Sequence, residues 1–188
     1  MSEYNRDCCF TSGQNWFRYR VGAVIISEGY ALFAANDRDN YYYYTVGGGV
    51  HMGEYSRDAV LRETMEETGL ELDIERPLCI IENFFDGDGS LDGLECHAVE
   101  IYYLMKPAVK TDIASRSVTC GDMPVAEKMH WLPIDRLDEY DIRPKIAIKL
   151  AAESPAGVEI IVNDERKKAD FILQEVRIFR VGRGHSLA

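Results

Sequence analysis

The stretch whose reading decides the fold is Gly47–Leu70, GGGVHMGEYSRDAVLRETMEETGL. Its second half predicts a helix. Ser56 suits the N-cap of a helix beginning at Arg57. Gly69 suits the position just past its end, with Leu70 as the apolar residue that follows. On that helix Glu63, Glu66 and Glu67 are related as i, i+3 and i+4 and share one face. Ala59 lies on the same face and leaves room beside them, whereas Leu61 and Met65 lie opposite, where a core is expected. Three like charges on one face repel by roughly 0.2–0.5 kcal/mol per pair on an isolated helix. A solvated acidic helix tolerates that cost. A hard cation held by oxygen ligands turns the repulsion into attraction, and such an ion binds phosphate oxygens and activates water. The glycines Gly47–Gly49 let the backbone approach closely and take unusual dihedrals.

The rest of the chain sets bounds on this reading. At 188 residues with 46% apolar content, it is long enough for one domain with a substantial core. No run approaches the roughly 20 apolar residues of a membrane helix. The start, MSEYNRDCCF, has no basic-then-apolar leader pattern, so the expected location is the cytoplasm. The net charge of −11 argues against electrostatic gripping of a nucleic acid polymer. It leaves room for a small phosphorylated substrate bridged by a divalent ion. The five cysteines show no CxxC spacing, so neither a disulfide framework nor a zinc site is indicated.

Residues 17–27 and 30–36 predict two strands paired as a hairpin around Ser27-Glu28-Gly29. The run 41–46, YYYYTV, is a short β-prone segment before the glycines. Residues 70–85 read as extended but interrupted at Pro77, followed by an acidic, glycine-rich loop at 86–93 and a strand at 97–105. Residues 107–124 read as a mobile loop. HWLPI is a short strand, Pro144 opens a helix through about Glu153, and 158–162 is a strand. The tail carries another β-prone run at 171–181.

The full spacing of the opening stretch is more specific than any of its parts. After Gly48 come five residues, Glu54, seven residues, and then Arg62-Glu63-Thr64-Met65-Glu66-Glu67-Thr68-Gly69-Leu70. This resembles the Nudix box, with every fixed position present. Thr64 departs from the aliphatic residue usual in the family, which loosens packing without removing a ligand. The hairpin before the box, the strands after it and WLPIDRL at 131–137 follow the Nudix order, so the resemblance covers roughly residues 17–163. It implies an α/β fold, the Nudix-type α/β/α sandwich with a mixed β-sheet, as a domain over 1–163. Residues 164–188 are then a β-prone extension packed on the core or at a dimer interface. It also implies a MutT-like, Mg²⁺-dependent hydrolase, with Mn²⁺ as a substitute. The substrate is a small nucleoside diphosphate derivative: a nucleoside triphosphate, a nucleotide sugar or a dinucleotide. The alternative is a Nudix-like module that senses a nucleotide without cleaving it. A homodimer is expected by analogy alone.

Carried over residue by residue, the resemblance makes Glu63, Glu66 and Glu67 the metal-binding and catalytic carboxylates. Glu54 and Arg62 become structural partners that brace the loop, and Gly48 opens the box. The general base is either Glu63 or Glu127, with Glu95 and Glu100 as weaker candidates. Arg20 and Arg38 are candidate phosphate contacts, although each also suits an ordinary strand or turn arginine. Within Tyr41–Tyr44 at most two side chains point into a cleft. Tyr43 is a candidate for stacking on a base, against the plainer use of such a run in packing. Phe84 occupies the region where some family members carry substrate-determining residues, and it is the last candidate contact.

Overall fold

The computed structural model describes residues 7–36, 42–113, 116–120, 123–153, 156–166 and 175–180. In chain order the strands and helices begin with β1 (Cys9–Ser12), β2 (Asn15–Val24), β3 (Ile26–Ser27), β4 (Tyr30–Asn36), β5 (Tyr43–Thr45) and α1 (Ser56–Thr68). They continue with β6 (Ile74–Asp86), β7 (Glu95–Met105), β8 (Arg116–Cys120), β9 (Met123–Pro133), α2 (Ile146–Glu153), β10 (Glu159–Asp164) and β11 (Glu175–Arg180). One sheet has the order β1-β2-β7-β6-β10-β11 and the other β3-β4-β9-β8, with β5 paired to β4. The first sheet is mixed. The pairs β2–β7 and β6–β10 are parallel, and β1–β2, β6–β7 and β10–β11 are antiparallel.

The strands carry two cores, one on each side of the β layer. In β7, Tyr102 and Leu104 join Phe33, Ile81, Ile161 and the α2 residues Ile146, Ala147 and Leu150. The neighbouring Tyr103 packs on the other cluster, with Val21, Ala23, Leu32 and the α1 residues Ala59 and Val60. Successive strand residues point to opposite faces, so α1 and α2 cover opposite sides. This is the α/β/α sandwich that the sequence implied. Because both faces are covered, Val21–Ile25 is buried throughout instead of alternating.

The hairpin expected at 17–36 is shorter than its sequence suggested. A Cβ at Gly22 would lie 2.5 Å from the Tyr102 ring. The bare backbone there lets β2 settle beside β7. The chain changes sheets at Ile25, which leaves only Ile26–Ser27 to pair with Tyr30–Ala31. Glu28 (φ 49°) and Gly29 (φ 81°) make the predicted turn, both with the positive φ that a tight hairpin favours.

Three further expectations change. Pro77 does not interrupt its strand: β6 runs through it, with register shifts against β7 on either side of the proline, where a missing donor is tolerated. Within 107–124, residues 116–120 are strand and pair with the start of β9 from Arg116↔Glu127 to Cys120↔Met123. An edge strand needs backbone pairing more than apolar content. β9 itself extends well upstream of HWLPI. At the far end, β11 pairs antiparallel with β10 from Glu159↔Arg180 to Asp164↔Glu175 and forms the edge of the mixed sheet. Residues 171–174 and 181 of that expected run lie outside the described residues. Among the described residues no helix is long and apolar enough to cross a membrane.

Candidate active site

α1 begins one residue earlier than expected. Tyr55 is its cap residue, without a side-chain cap bond, and the Ser56 hydroxyl instead meets the Tyr103 hydroxyl at 2.7 Å. Gly69 ends the helix in the left-handed conformation (φ 73°). The inward face consists of Ala59, Val60, Thr64, Glu67 and Thr68, whereas Met65 is 41% exposed. Thr64, the departure from the usual box, is buried. Its hydroxyl donates to the Val60 carbonyl at 2.7 Å, so it costs no unsatisfied group. Leu61 packs against the core as expected, but the expectation that Met65 also faces it is corrected, since the helix turns Glu67 inward instead.

Those carboxylates meet the glycine turn. Residues 46–50 lie along β2, with Val21 N–H donating to Gly48 O (3.0 Å), Ala23 N–H to Val46 O (2.8 Å) and Val50 N–H to Tyr19 O (3.1 Å). Gly47 has φ 137°, and a Cβ there would overlap the Val21 carbonyl oxygen. A Cβ on Gly48 would lie 2.5 Å from the Glu63 carboxyl carbon. The turn thus has β2 on one side and a carboxylate on the other, and side chains fit on neither. Gly47 N–H donates to Glu67 Oε2 at 3.2 Å.

Arg62 and Arg20 brace this arrangement. Arg62 donates to both oxygens of Glu54 (2.8 and 2.9 Å), to Glu63 Oε1 (2.6 Å), to Glu66 Oε2 (3.2 Å) and to Gly49 O (3.0 Å). These bonds, opposed by burial, hold the Glu54 carboxyl at about 2. Arg20 lies partly buried under the turn and donates to Thr45 O (2.9 Å), Gly47 O (3.1 Å) and Glu100 Oε2 (3.3 Å). Glu100 also accepts from Tyr102 (2.8 Å) and Asn83 (2.9 Å).

Glu127, on β9 opposite Asn36, comes to the same place. It is 7% exposed. Tyr44 donates its hydroxyl to Glu127 Oε1 at 2.5 Å, and Oε2 is buried without a hydrogen-bond partner among the described residues. Burial, then the charges of Glu127 and Glu63, push the Glu67 carboxyl well above the ordinary range. Burial raises Glu63 against the pull of Arg62. Burial also raises Glu127 against the Tyr44 bond and Arg20. Glu66 stands apart on the rim, with its side chain 58% exposed.

The donor set fits a hard divalent cation. Neighbouring carboxylates raise one another's proton affinity, and one of their oxygens has no other partner among the described residues. Among the described residues no three His, Cys, Asp or Glu side chains stand as a ready cage. The carboxylates lean instead on their own partners: Glu63 on Arg62, Glu67 on Gly47 and Glu127 on Tyr44. A cavity of about 500 Å³ lies at the start of α1, lined by Tyr19 and Glu54–Asp58, at the other end of the helix from Glu67.

The NUDIX domain model matches residues 16–151. The chain belongs to the Nudix family. Nudix hydrolases act on nucleoside diphosphate derivatives and generally use divalent metal ions. No curated protein matches the chain by sequence. Among solved structures it is similar to the MutT protein of Bacillus halodurans, with 15% identity, a TM-score of 0.54, and coverage of 86% of this chain and 97% of that one. It is similar to a NUDIX-family hydrolase of Clostridium perfringens, with 15% identity, a TM-score of 0.51, and coverage of 73% and 95%. It is also similar to the NUDIX domain of Shewanella oneidensis NrtR, solved with ADP ribose, with 14% identity, a TM-score of 0.53, and coverage of 77% and 88%. At these identities the likeness speaks for the fold.

Within the Nudix frame, the structure brings Glu63, Glu67 and Glu127 together beside Gly48, with Glu66 at the edge. Arg20 is engaged beneath the turn. Tyr43 packs edge-to-face on His130 (5.4 Å) and Tyr140 (5.6 Å), next to the α2-side core. Phe84 stacks on His97 at 4.3 Å, with Arg166 over its ring. Glu100 is spent on Arg20, Asn83 and Tyr102, and Glu95 begins β7, opposite Asp86. Arg38 lies outside the described residues. Sequence reasoning missed Tyr44. Alternation along the tyrosine run limits how many can share a face, but only the β4–β5 register, Ala34↔Tyr44, decides which do.

Proposed function

We propose that this Nudix protein is a metal-dependent pyrophosphohydrolase that cleaves the P–O–P linkage of a nucleoside diphosphate derivative. The class spans nucleoside triphosphates, nucleotide sugars and dinucleotides. The observation that carries the reading is the convergence of two buried carboxylates, Glu67 and Glu127, and the partly buried Glu63 on the glycine turn above Arg20. A purely structural site has little use for mutually repelling acids with raised proton affinity. Complete retention of the box carboxylates supports cleavage over nucleotide sensing.

In this reading Glu67 and Glu127 hold Mg²⁺ or Mn²⁺, and Glu66 can swing in from the rim. When bound, the ion supplies Lewis acidity at the phosphoryl oxygens and neutralises developing charge. Glu63 is the general base. Arg62 fixes its orientation, Gly48 leaves room for it, and burial raises its proton affinity above the ordinary carboxylate level, the direction a general base needs. Glu63 takes the proton of the attacking water as the water oxygen bonds to phosphorus. The bond from phosphorus to the bridging oxygen breaks, and the leaving phosphate departs with that electron pair. Arg20 serves as a brace for the turn, not as a phosphate ligand.

Chromatography of the nucleotide products from a panel of nucleoside triphosphates, nucleotide sugars and dinucleotides, incubated with Mg²⁺ and then Mn²⁺, tests the function. Glu63→Gln should lower kcat by about 10²–10⁴-fold, as expected for a general base, while Mn²⁺ still binds. Turnover of no substrate class with either ion would overturn the reading.

A further inference from the structure

Glu127 reaches the site from a strand far along the chain, and one side chain governs how it points. Tyr44 sits on β5, held to β4 by the Ala34↔Tyr44 pairing. Its ring leans on Tyr42 at 5.9 Å, and Tyr42 is in turn covered by the Arg143 guanidinium at 4.5 Å from its centroid. The hydroxyl at the end of this stack is 2.5 Å from Glu127 Oε1. A phenol O–H that donates to a carboxyl oxygen fixes where that oxygen points. It occupies one carboxylate oxygen and leaves Oε2 buried, with no hydrogen-bond partner among the described residues. That oxygen belongs to a group whose charge is felt by Glu67, and which itself feels Glu63 and Arg20.

A carboxylate meant only to be satisfied would have both oxygens bonded. Here one is fastened and the other kept clear. We propose that Tyr44 is a positioning residue, holding Glu127 by Oε1 so that Oε2 faces the shared site of Glu63 and Glu67. The inference rests on the reading that Glu67 and Glu127 hold the divalent ion. Phenylalanine has the same ring and packs on Tyr42 equally well but cannot make the bond, so the role belongs to the hydroxyl. Groups that orient metal-binding carboxylates act in this manner from outside the coordination sphere.

The test uses Mn²⁺ alone as probe and the full chain, with free Mn²⁺ counted by electron paramagnetic resonance in a titration. Four variants are compared with the wild type: Tyr44→Phe, Glu127→Gln, the two combined, and Glu67→Gln. Tyr44→Phe should weaken Mn²⁺ binding roughly 10-fold, the low end for outer-shell partners, while the circular dichroism spectrum of the folded protein is kept. Added to Glu127→Gln, it should have no further effect. A merely structural tyrosine would weaken binding equally with or without Glu127. Wild-type affinity in Tyr44→Phe, or an undiminished effect in the combined variant, would overturn the assignment. If Glu67→Gln weakens binding and Glu127→Gln does not, the positioning role falls while the Glu67 site stands. If neither weakens binding, the ion-binding reading itself falls.

Discussion

The two adjacent glycines of the turn make opposite demands, and alanine at each separates them. At Gly48 an added Cβ would stand 2.5 Å from the carboxyl carbon of Glu63 and 2.5–2.6 Å from its oxygens. Carbon atoms at rest are about 3.5–4.0 Å apart, so the carboxylate must retreat by about 1 Å. Gly48 does not have a positive φ, and the group displaced is the end of a flexible side chain. The fold should therefore barely notice Gly48→Ala. Its base would be misplaced by about the distance that can cost 10²-fold in rate. At Gly47 the neighbour is the Val21 backbone and φ is 137°. Gly47→Ala should then cost about 1–3 kcal/mol from conformation alone. At roughly 2–4 °C per kcal/mol for a chain of this size, the melting temperature should fall by at least several degrees. Melting curves and initial rates on the best nucleotide of the panel measure both. A Gly48→Ala protein with wild-type turnover, or one that melts as early as Gly47→Ala, would refute the argument that this glycine exists to admit Glu63.

Activity should disappear on exhaustive chelation and return with Mg²⁺, and Glu67→Gln should abolish most turnover while the circular dichroism spectrum is kept; full activity in chelator counts against the donor set. In chelator, the raised carboxyls of Glu63, Glu67 and Glu127 make the folded protein bind more protons than the unfolded chain above the ordinary carboxylate range. Stability should therefore rise as pH falls from 8 toward about 5, and a melting temperature that does not rise over that interval contradicts the shifts. Glu54 has the opposite sign. Its carboxyl is depressed from 4.5 to about 2, so its contribution is complete above pH 4.5 and is lost as pH falls through 2. It is worth at most about 3 kcal/mol, less after solvent screening. Glu54→Gln should accordingly be destabilising at pH 7 and nearly neutral at pH 2 by chemical denaturation. Truncation after Arg166 removes β11 and bares the edge of β10; the melting temperature should fall, and light scattering reports whether the segment also joins two copies.

Much of the site is local and could be read directly. The box spacing places Glu63, Glu66 and Glu67 on one helical face because 3.6 residues make a turn wherever the helix lies. Gly69 stops that helix because its left-handed φ costs glycine nothing. Ser27-Glu28-Gly29 turns the chain for a similar reason. These features depend on a few adjacent dihedrals, which the residues themselves determine. The tertiary structure decided everything that depends on register and on what lies across from what. Periodicity alone put Met65 inside and could not say that Gly47 and Arg62 would draw the acids inward instead. It could not choose between Tyr43 and Tyr44, because a shift of one residue in strand pairing exchanges the two faces. It offered Arg20 as a phosphate contact, whereas the β2–β7 pairing sets it opposite Glu100 and beneath the turn. Glu127 sits on a strand remote in sequence from the box, and its neighbourhood with Glu67 exists only once β9 pairs with β4. Short-range geometry belongs to the residues; the meeting of distant charges is paid for by the whole core that aligns the strands.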